Sequence, residues 1–285
     1  MKEIKILVTG ASGFIGSYAV PILSEKYQIV SISLQEKTVN EINLENYDVI
    51  LHLSGIAHQN KVISGKMHEA VNYQMTVDLA GKAKEKGIRH FIFLSTVKVF
   101  GESTAQSLNE VSPCFPVDDY ARSKYRAESD ILKMNSDSFI VSVVRPALVY
   151  GKGVKGNLAK LIALVRALPI IPLDGINNSR SLVYAGNLIA LIDRIIEKKI
   201  PGIFIACDVN NISTSQLIRI FAKHLKKRRL FISIPGILKN LVKRMAPSGY
   251  KRLFGTLVVD SSMTNQVLDF KPPYSVEEGM KKMFE

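Results

Sequence analysis

Cysteine is scarce in this sequence: Cys114 and Cys207 are the only two among 285 residues. Two isolated thiols build neither a disulfide framework nor a zinc cluster, so reduced core thiols in a cytoplasmic protein are expected. No apolar run approaches the roughly 20 residues that a bilayer-spanning helix needs. The opening MKEIKILVTG reads as a β-strand and lacks the long apolar region and cleavage site of a secretion signal. The five histidines form no metal-ligand pattern. Acidic residues are missing altogether from Phe221 to Phe254, a stretch with ten Lys or Arg, including Lys226, Lys227, Arg228 and Arg229. Such a surface attracts phosphates. Its interior is apolar, as in RRLFISIPGILKNLVKRM, which sets it apart from nucleic-acid arms. A solvated basic face and contact with a membrane surface are the two readings, and no nucleic-acid partner is expected.

What is present is an ordinary globular composition, 47% apolar and 22% charged, with a net charge of +13. Short β-branched runs at 4–8, 28–33, 48–53, 90–95 and 139–145 alternate with helical patterns. Near-continuous apolar strands separated by helices predict an α/β, Rossmann-like doubly wound parallel sheet that binds ligands at its strand ends. After Gly151 the alternation loosens, which suits a smaller C-terminal substrate-binding lobe. The expected division is a nucleotide-binding domain from 1–150 plus about 181–207, with the lobe from about 151–180 and 208–285. Within the lobe, Asn157 to Ala167 looks helical, and Ser213 with Gln216 forms a capping box.

The first strand runs straight into TGASGFIG, with Gly10, Gly13 and Gly16 at three-residue spacing before an amphipathic helix. Glycines there permit a tight turn, close approach of backbone N–H groups to a pyrophosphate, and close packing of helix on sheet. Dinucleotide binding is expected, with Ser12, Phe14 and Ile15 completing the loop. The end of the second strand, near Ser33 in SISLQEK, lacks the acid that often binds the adenosine ribose; Glu36 and Lys37 lie further on. A small polar residue beside a cation tolerates a 2′-phosphate, so NAD(P) is expected, with a lean to NADP(H).

YARSK sets Tyr120 and Lys124 four residues apart, on one helix face. Alone, that spacing fits an acid/base pair or two surface residues. With TGASGFIG, DVILHLSGIAH, FLSTVKVFG, YARSK and VRPALVYGKG in this order, the chain resembles the extended short-chain dehydrogenase/reductases. More closely it is similar to the NAD-dependent epimerase/dehydratase family that modifies nucleotide sugars. The resemblance covers nearly the whole chain and implies a catalytic set of Thr96, Tyr120 and Lys124. Tyrosine has an unperturbed pKa of about 10. A neighbouring ammonium and the nicotinamide's charge are expected to favour phenolate and make Tyr120 an effective acid/base. Lys124 would also bind the nicotinamide ribose. Ser123 and Arg122 read as helix-surface residues.

The resemblance further implies that Leu53, Ser54 and Gly55 line the cofactor and that Asn72 supports the active-site strand. Pro146 would pack at the nicotinamide, while Asn157 and Arg180 would hold the sugar nucleotide's pyrophosphate. For Asn72 a surface amide, and for Arg180 a surface ion pair, are the plain alternatives. His52, within an apolar strand, reads as a satisfied core residue; His58 stands where it can approach a substrate. Family members that eliminate water carry an acid pair directly after the catalytic Thr, where this chain has Val97 and Lys98. That leaves a 4-keto reductase or a 4-epimerase. The missing acid on the second strand and the shortness of the chain favour the reductase, and VYGKGVKGNLAKLIALV with LPIIPLDGINNSRSLVY resembles enzymes that reduce a UDP-4-keto-6-deoxy-N-acetylhexosamine in surface polysaccharide assembly. The epimerase, on a UDP-linked or lipid-linked sugar, is the alternative, and a non-catalytic NADP-sensing protein is a third. A homodimer packed through the Tyr120 helix is implied as well.

Overall fold

The computed structural model describes residues 4–34, 38–57, 64–104, 106–245 and 247–285. Six parallel strands form the central sheet: β1 (Lys5–Thr9), β2 (Gln28–Ile32), β3 (Val49–His52), β4 (His90–Leu94), β5 (Ile140–Pro146) and β9 (Gly202–Ala206), in the order β2-β1-β3-β4-β5-β9. Alternate side chains leave opposite faces of a strand, which explains why these runs are apolar throughout. Ile6, Val8, Leu51, Ile92 and Val144 pack under α1 (Gly16–Leu23) and α6 (Ala185–Lys198). Leu7, Ile50, Phe91, Phe93 and Val143 pack on the other face, against α3 (Met75–Glu85) and α4 (Asp119–Leu132). The order reverses between β1 and β3, and the crevice outside the strand ends at such a point is where this architecture binds ligands.

A separate core lies beyond the sheet. It joins α5 (Gly156–Ala167), α7 (Thr214–His224) and α11 (Val276–Phe284) through Leu158, Val165, Phe221 and Met280. Two small parallel pairs border it: β6 (Leu148–Tyr150) with β8 (Leu182–Tyr184), and β7 (Ile170–Asp174) with β10 (Leu230–Ser233). The predicted capping box forms, with Ser213 accepting from the Gln216 N–H at 3.1 Å. The last third is more regular than its sequence suggests. It adds α8 (Gly236–Met245), α9 (Pro247–Phe254) and α10 (Ser262–Leu268).

One irregularity matters for the site. The long predicted helix between β3 and β4 is not uniform: α2 (Gly65–His68) passes through a π-helical turn, Glu69–Gln74, into α3. Such turns are rare and cluster at functional sites. The two cysteines are unpaired as expected, but half-buried rather than in the core. Among the described residues no helix is long and apolar enough to cross a membrane.

Candidate active site

Gly10 closes β1 in a left-handed conformation, φ +75°, and passes directly against the end of β3. A Cβ there would stand 2.7 Å from the Ser54 nitrogen and 2.9 Å from the Leu53 carbonyl carbon. At Gly16, the first residue of α1, it would reach 2.3 Å from the Gly10 oxygen. Gly13 donates its N–H to that oxygen at 3.0 Å, and a Cβ on Gly13 would touch nothing but the same oxygen, at 3.1 Å. The turn is thus tight on its inner side and open on its outer side. Ser12 is exposed, and Phe14 and Ile15 are half-buried. The first turn of α1 has neither an acidic residue nor a side-chain cap. The positive end of its dipole is therefore not offset by a carboxylate, which suits a diphosphate.

Gly10→Ala should weaken dinucleotide binding by about tenfold or more, since strain of roughly 1–3 kcal/mol at such a residue converts to that factor. Cofactor titration with a thermal melt checks this. Unchanged affinity would mean that the loop can retreat from β3 without loss.

Thr96 ends the segment after β4. Its hydroxyl accepts the Lys98 N–H at 3.2 Å, capping a 3₁₀ turn over Val97–Phe100. Thr96 also stands near the Tyr120 side chain and lowers the phenol's pKa. Burial outweighs that influence and, with a smaller push from Asp118, moves Tyr120 up to about 12. By itself this arrangement holds the phenol protonated, and the expected shift toward phenolate rests also on the nicotinamide's charge. Lys124 is 3% exposed and donates to the Leu94 carbonyl at 2.9 Å, with its ammonium 4.5 Å from the Phe93 ring centre. Burial drives Lys124 down to about 7, partly opposed by the Glu128 charge. A Cβ on Gly55 would lie 2.9 Å from the Lys124 nitrogen, so the lysine stands against the loop that ends β3.

The start of α4 is clasped to the Thr96 turn. Asp118 caps the helix by accepting the Ala121 N–H at 2.8 Å and pairs with Lys98 at 2.5 Å. The Lys98 ammonium also lies 5.7 Å from the Tyr120 ring centre. Val97 is buried, at 5% exposure. Neither position offers a carboxylic acid or base.

Asn72, fully buried in the π turn, is no surface amide. It accepts the Ile56 N–H at 2.8 Å and donates to the Ile56 carbonyl at 2.9 Å, holding the loop after β3 rather than a strand. It also donates to Ser123 Oγ at 3.2 Å. Ser123, expected on the helix surface, is 2% exposed and donates to the Tyr120 carbonyl at 2.9 Å. The π turn is what brings α4 and the β3 loop to one amide. Arg122 is exposed, as expected, and pairs with Asp119 at 2.6 Å. His68 was not anticipated. It is 2% exposed, its Nδ1 lies 3.2 Å from Asn72 Nδ2, and its ring meets the Tyr120 ring edgewise at 6.0 Å.

Beneath the site, Arg145 of β5 forms an ion pair with Glu128 of α4 at 2.6 Å, and both are almost wholly buried. Ser95, beside Thr96, donates to the same carboxylate. Burial raises the Glu128 pKa, opposed by the Arg145 and Ser95 hydrogen bonds. An Arg before Pro146 and a Glu four residues after Lys124 were the visible traces of this pair.

Among the remaining candidates, Ser33 is exposed just past β2, and Pro146 is buried at the end of β5. His52 is the satisfied core residue expected, with Thr9 Oγ1 at 2.7 Å and Thr76 Oγ1 at 2.9 Å. Asn157 is exposed in the first turn of α5. Arg180 bridges backbone to Ile212 and Leu257, and its guanidinium donates to the Gly255 carbonyl at 3.2 Å. Glu36, Lys37 and His58 lie outside the described residues. Among the described residues, no group of three or more His, Cys, Asp or Glu could hold a metal ion.

The model of the NAD dependent epimerase/dehydratase family matches residues 6–207. The chain belongs to that family. A UDP-glucose 4-epimerase of Vibrio cholerae is 33% identical over 309 aligned positions, covering 97% of this chain and 93% of the relative. An N-acetyl-alpha-D-glucosaminyl-diphospho-ditrans,octacis-undecaprenol 4-epimerase of Escherichia coli O157:H7 is 20% identical, with the same coverage of both chains. Among solved structures, MoeE5 in complex with UDP-glucose and NAD superposes with a TM-score of 0.79 at 19% identity, covering 98% of this chain and 97% of that one. RMD from Pseudomonas aeruginosa complexed with NADPH gives 0.80 at 17%, covering 99% and 98%. These structures share the fold. As a member of the NAD-dependent epimerase/dehydratase family, the chain is an NAD(P)-binding enzyme.

Proposed function

We propose that this enzyme works at C4 of a sugar carried on a diphosphate, as a 4-epimerase. The observation that carries the proposal is the placement of Tyr120 near Thr96 and one helical turn from the buried Lys124, which stands against the loop that ends β3 at the β1–β3 switch point. The relatives that are 4-epimerases support the reaction, and Val97 with a clasped Lys98 speaks against water elimination. When bound, the nicotinamide supplies the hydride acceptor and donor.

This chain's residues would manage the rest. The loop from Gly10 to Gly16 binds the diphosphate, Leu53 to Gly55 and Pro146 line the dinucleotide, and Lys124 holds the nicotinamide ribose. Tyr120 takes the C4 hydroxyl proton as hydride leaves and returns it after the keto sugar has turned over. Thr96 orients the C4 oxygen, while Lys124 supplies the positive charge that a phenolate at Tyr120 needs. The lobe built around α5, α7 and α11 would seat the sugar, with Asn157 and Arg180 as its diphosphate contacts.

A specific observation favours a second reading. The small polar Ser33 just past β2 holds the position where an NAD-favouring acid often stands, which suits NADPH and a single net reduction of a UDP-4-keto-6-deoxy-N-acetylhexosamine in surface polysaccharide assembly. Purified enzyme given UDP-N-acetylglucosamine, without added cofactor, should form UDP-N-acetylgalactosamine. If it forms none, yet consumes NADPH stoichiometrically at 340 nm with the 4-keto sugar, the reductase replaces the epimerase.

A further inference from the structure

The small sheet of β7 and β10 turns one face to the separate core and the other to solvent. Ile171 is fully buried, with Phe231 packed beside that core. Their neighbours point away: Ile170 is 47% exposed, Leu230 59% and Ile232 43%. Ile170 and Leu230 are paired across the two strands, and Ile232 follows two residues on at the register shift before Ser233, so three exposed apolar side chains gather on this small sheet. Soluble surfaces scatter such residues singly, and a contiguous group rimmed by polar residues marks an interaction surface.

The rim is cationic. Lys226, Lys227 and Arg228 are exposed in the turn that leads into β10. Arg229, the fourth of the run, is spent on structure: it donates to the Val165 and Arg166 carbonyls, at 2.8 Å each, and closes the end of α5. That anchors the turn and leaves its three neighbours free of that duty. Asp174, the acid on β7, is held by Arg219 at 2.8 Å. The following α8 continues the pattern with exposed Lys243 and Arg244 and no acid.

We propose that this face docks on an anionic lipid bilayer. Apolar side chains 230, 232 and 170 enter the headgroup boundary, and the 226–228 cations meet the lipid phosphates. The charge complementarity excludes a basic or neutral partner, and an apolar centre inside a cationic rim is the arrangement by which peripheral proteins hold an interface. It does not depend on the reaction assigned to Tyr120.

The test is flotation of the full-length enzyme with vesicles of phosphatidylglycerol and phosphatidylethanolamine, against pure phosphatidylcholine vesicles. Wild type should float with the anionic vesicles alone, less so as salt rises. Lys226→Glu/Lys227→Glu/Arg228→Glu should cut the bound fraction about 100-fold. Ile170→Ser/Leu230→Ser should cut it by about tenfold or more while keeping the wild-type circular dichroism. Lys226→Gln/Lys227→Gln/Arg228→Gln, a milder change, covers misfolding of the reversal variant. Three outcomes would overturn the proposal: wild type that stays with the pellet, variants that float like wild type, or sedimentation showing a dimer that Leu230→Ser dissolves.

Discussion

Tyr120→Phe should lower turnover by about 10²–10⁴-fold and leave cofactor affinity unchanged, because general acid/base catalysis contributes on that scale. The substitution removes one oxygen. The ring keeps its edge contact with His68 and its place beside Lys98. Lys124 keeps its own bond to the Leu94 carbonyl, so the nicotinamide ribose contact proposed for it persists. Single-turnover rates with cofactor titration separate the two effects. Wild-type turnover in this variant would sink the assignment. Since burial puts the phenol at about 12, Tyr120 is protonated at neutral pH before the dinucleotide arrives.

Arg145→Met should destabilise the fold by roughly 3–5 kcal/mol, since removing one partner strands the other charge in the interior. That corresponds to a fall in Tm of roughly 6–20 °C for a chain of this size. The loss should shrink in acid. Glu128 already has a raised pKa, and without Arg145 it rises further, so the folded variant binds a proton that the unfolded chain does not. Stability relative to wild type is therefore regained as pH falls through the raised value. Arg145→Met with Glu128→Leu should restore most of the Tm at neutral pH. Thermal melts across pH measure both, and a single variant as stable as wild type would show the pair to be neutral.

Much of this was legible in the sequence because it is local or repetitive. Strands buried on both faces read as unbroken apolar runs, and the observed β1, β3, β4 and β5 differ from the predicted spans by only a residue or so at each end. The glycine spacing and YARSK lie within single short segments. What escaped depends on contacts distant in sequence. Ser123 looked like a surface serine because its burial comes from Asn72, 51 residues earlier. Glu128 and Arg145 meet only once α4 lies on β5. The tyrosine's surroundings escaped for a related reason: the spacing shows a nearby lysine but not how dry the site is. Helices α8 to α10 were missed because each is short, at ten, eight and seven residues.

The π turn at Glu69–Gln74 has a consequence for how this protein can vary. Each α-helical residue turns the chain by about 100°. Losing one residue from that turn, which would otherwise look like a harmless trimming of a helix, would swing Asn72 away from Ile56 and let go of the β3 loop and Ser123 together. The stretch from Gly65 to Glu85 is thus a segment of fixed length. Relatives that keep the grip on that loop should show no gap there, while insertions and deletions collect elsewhere.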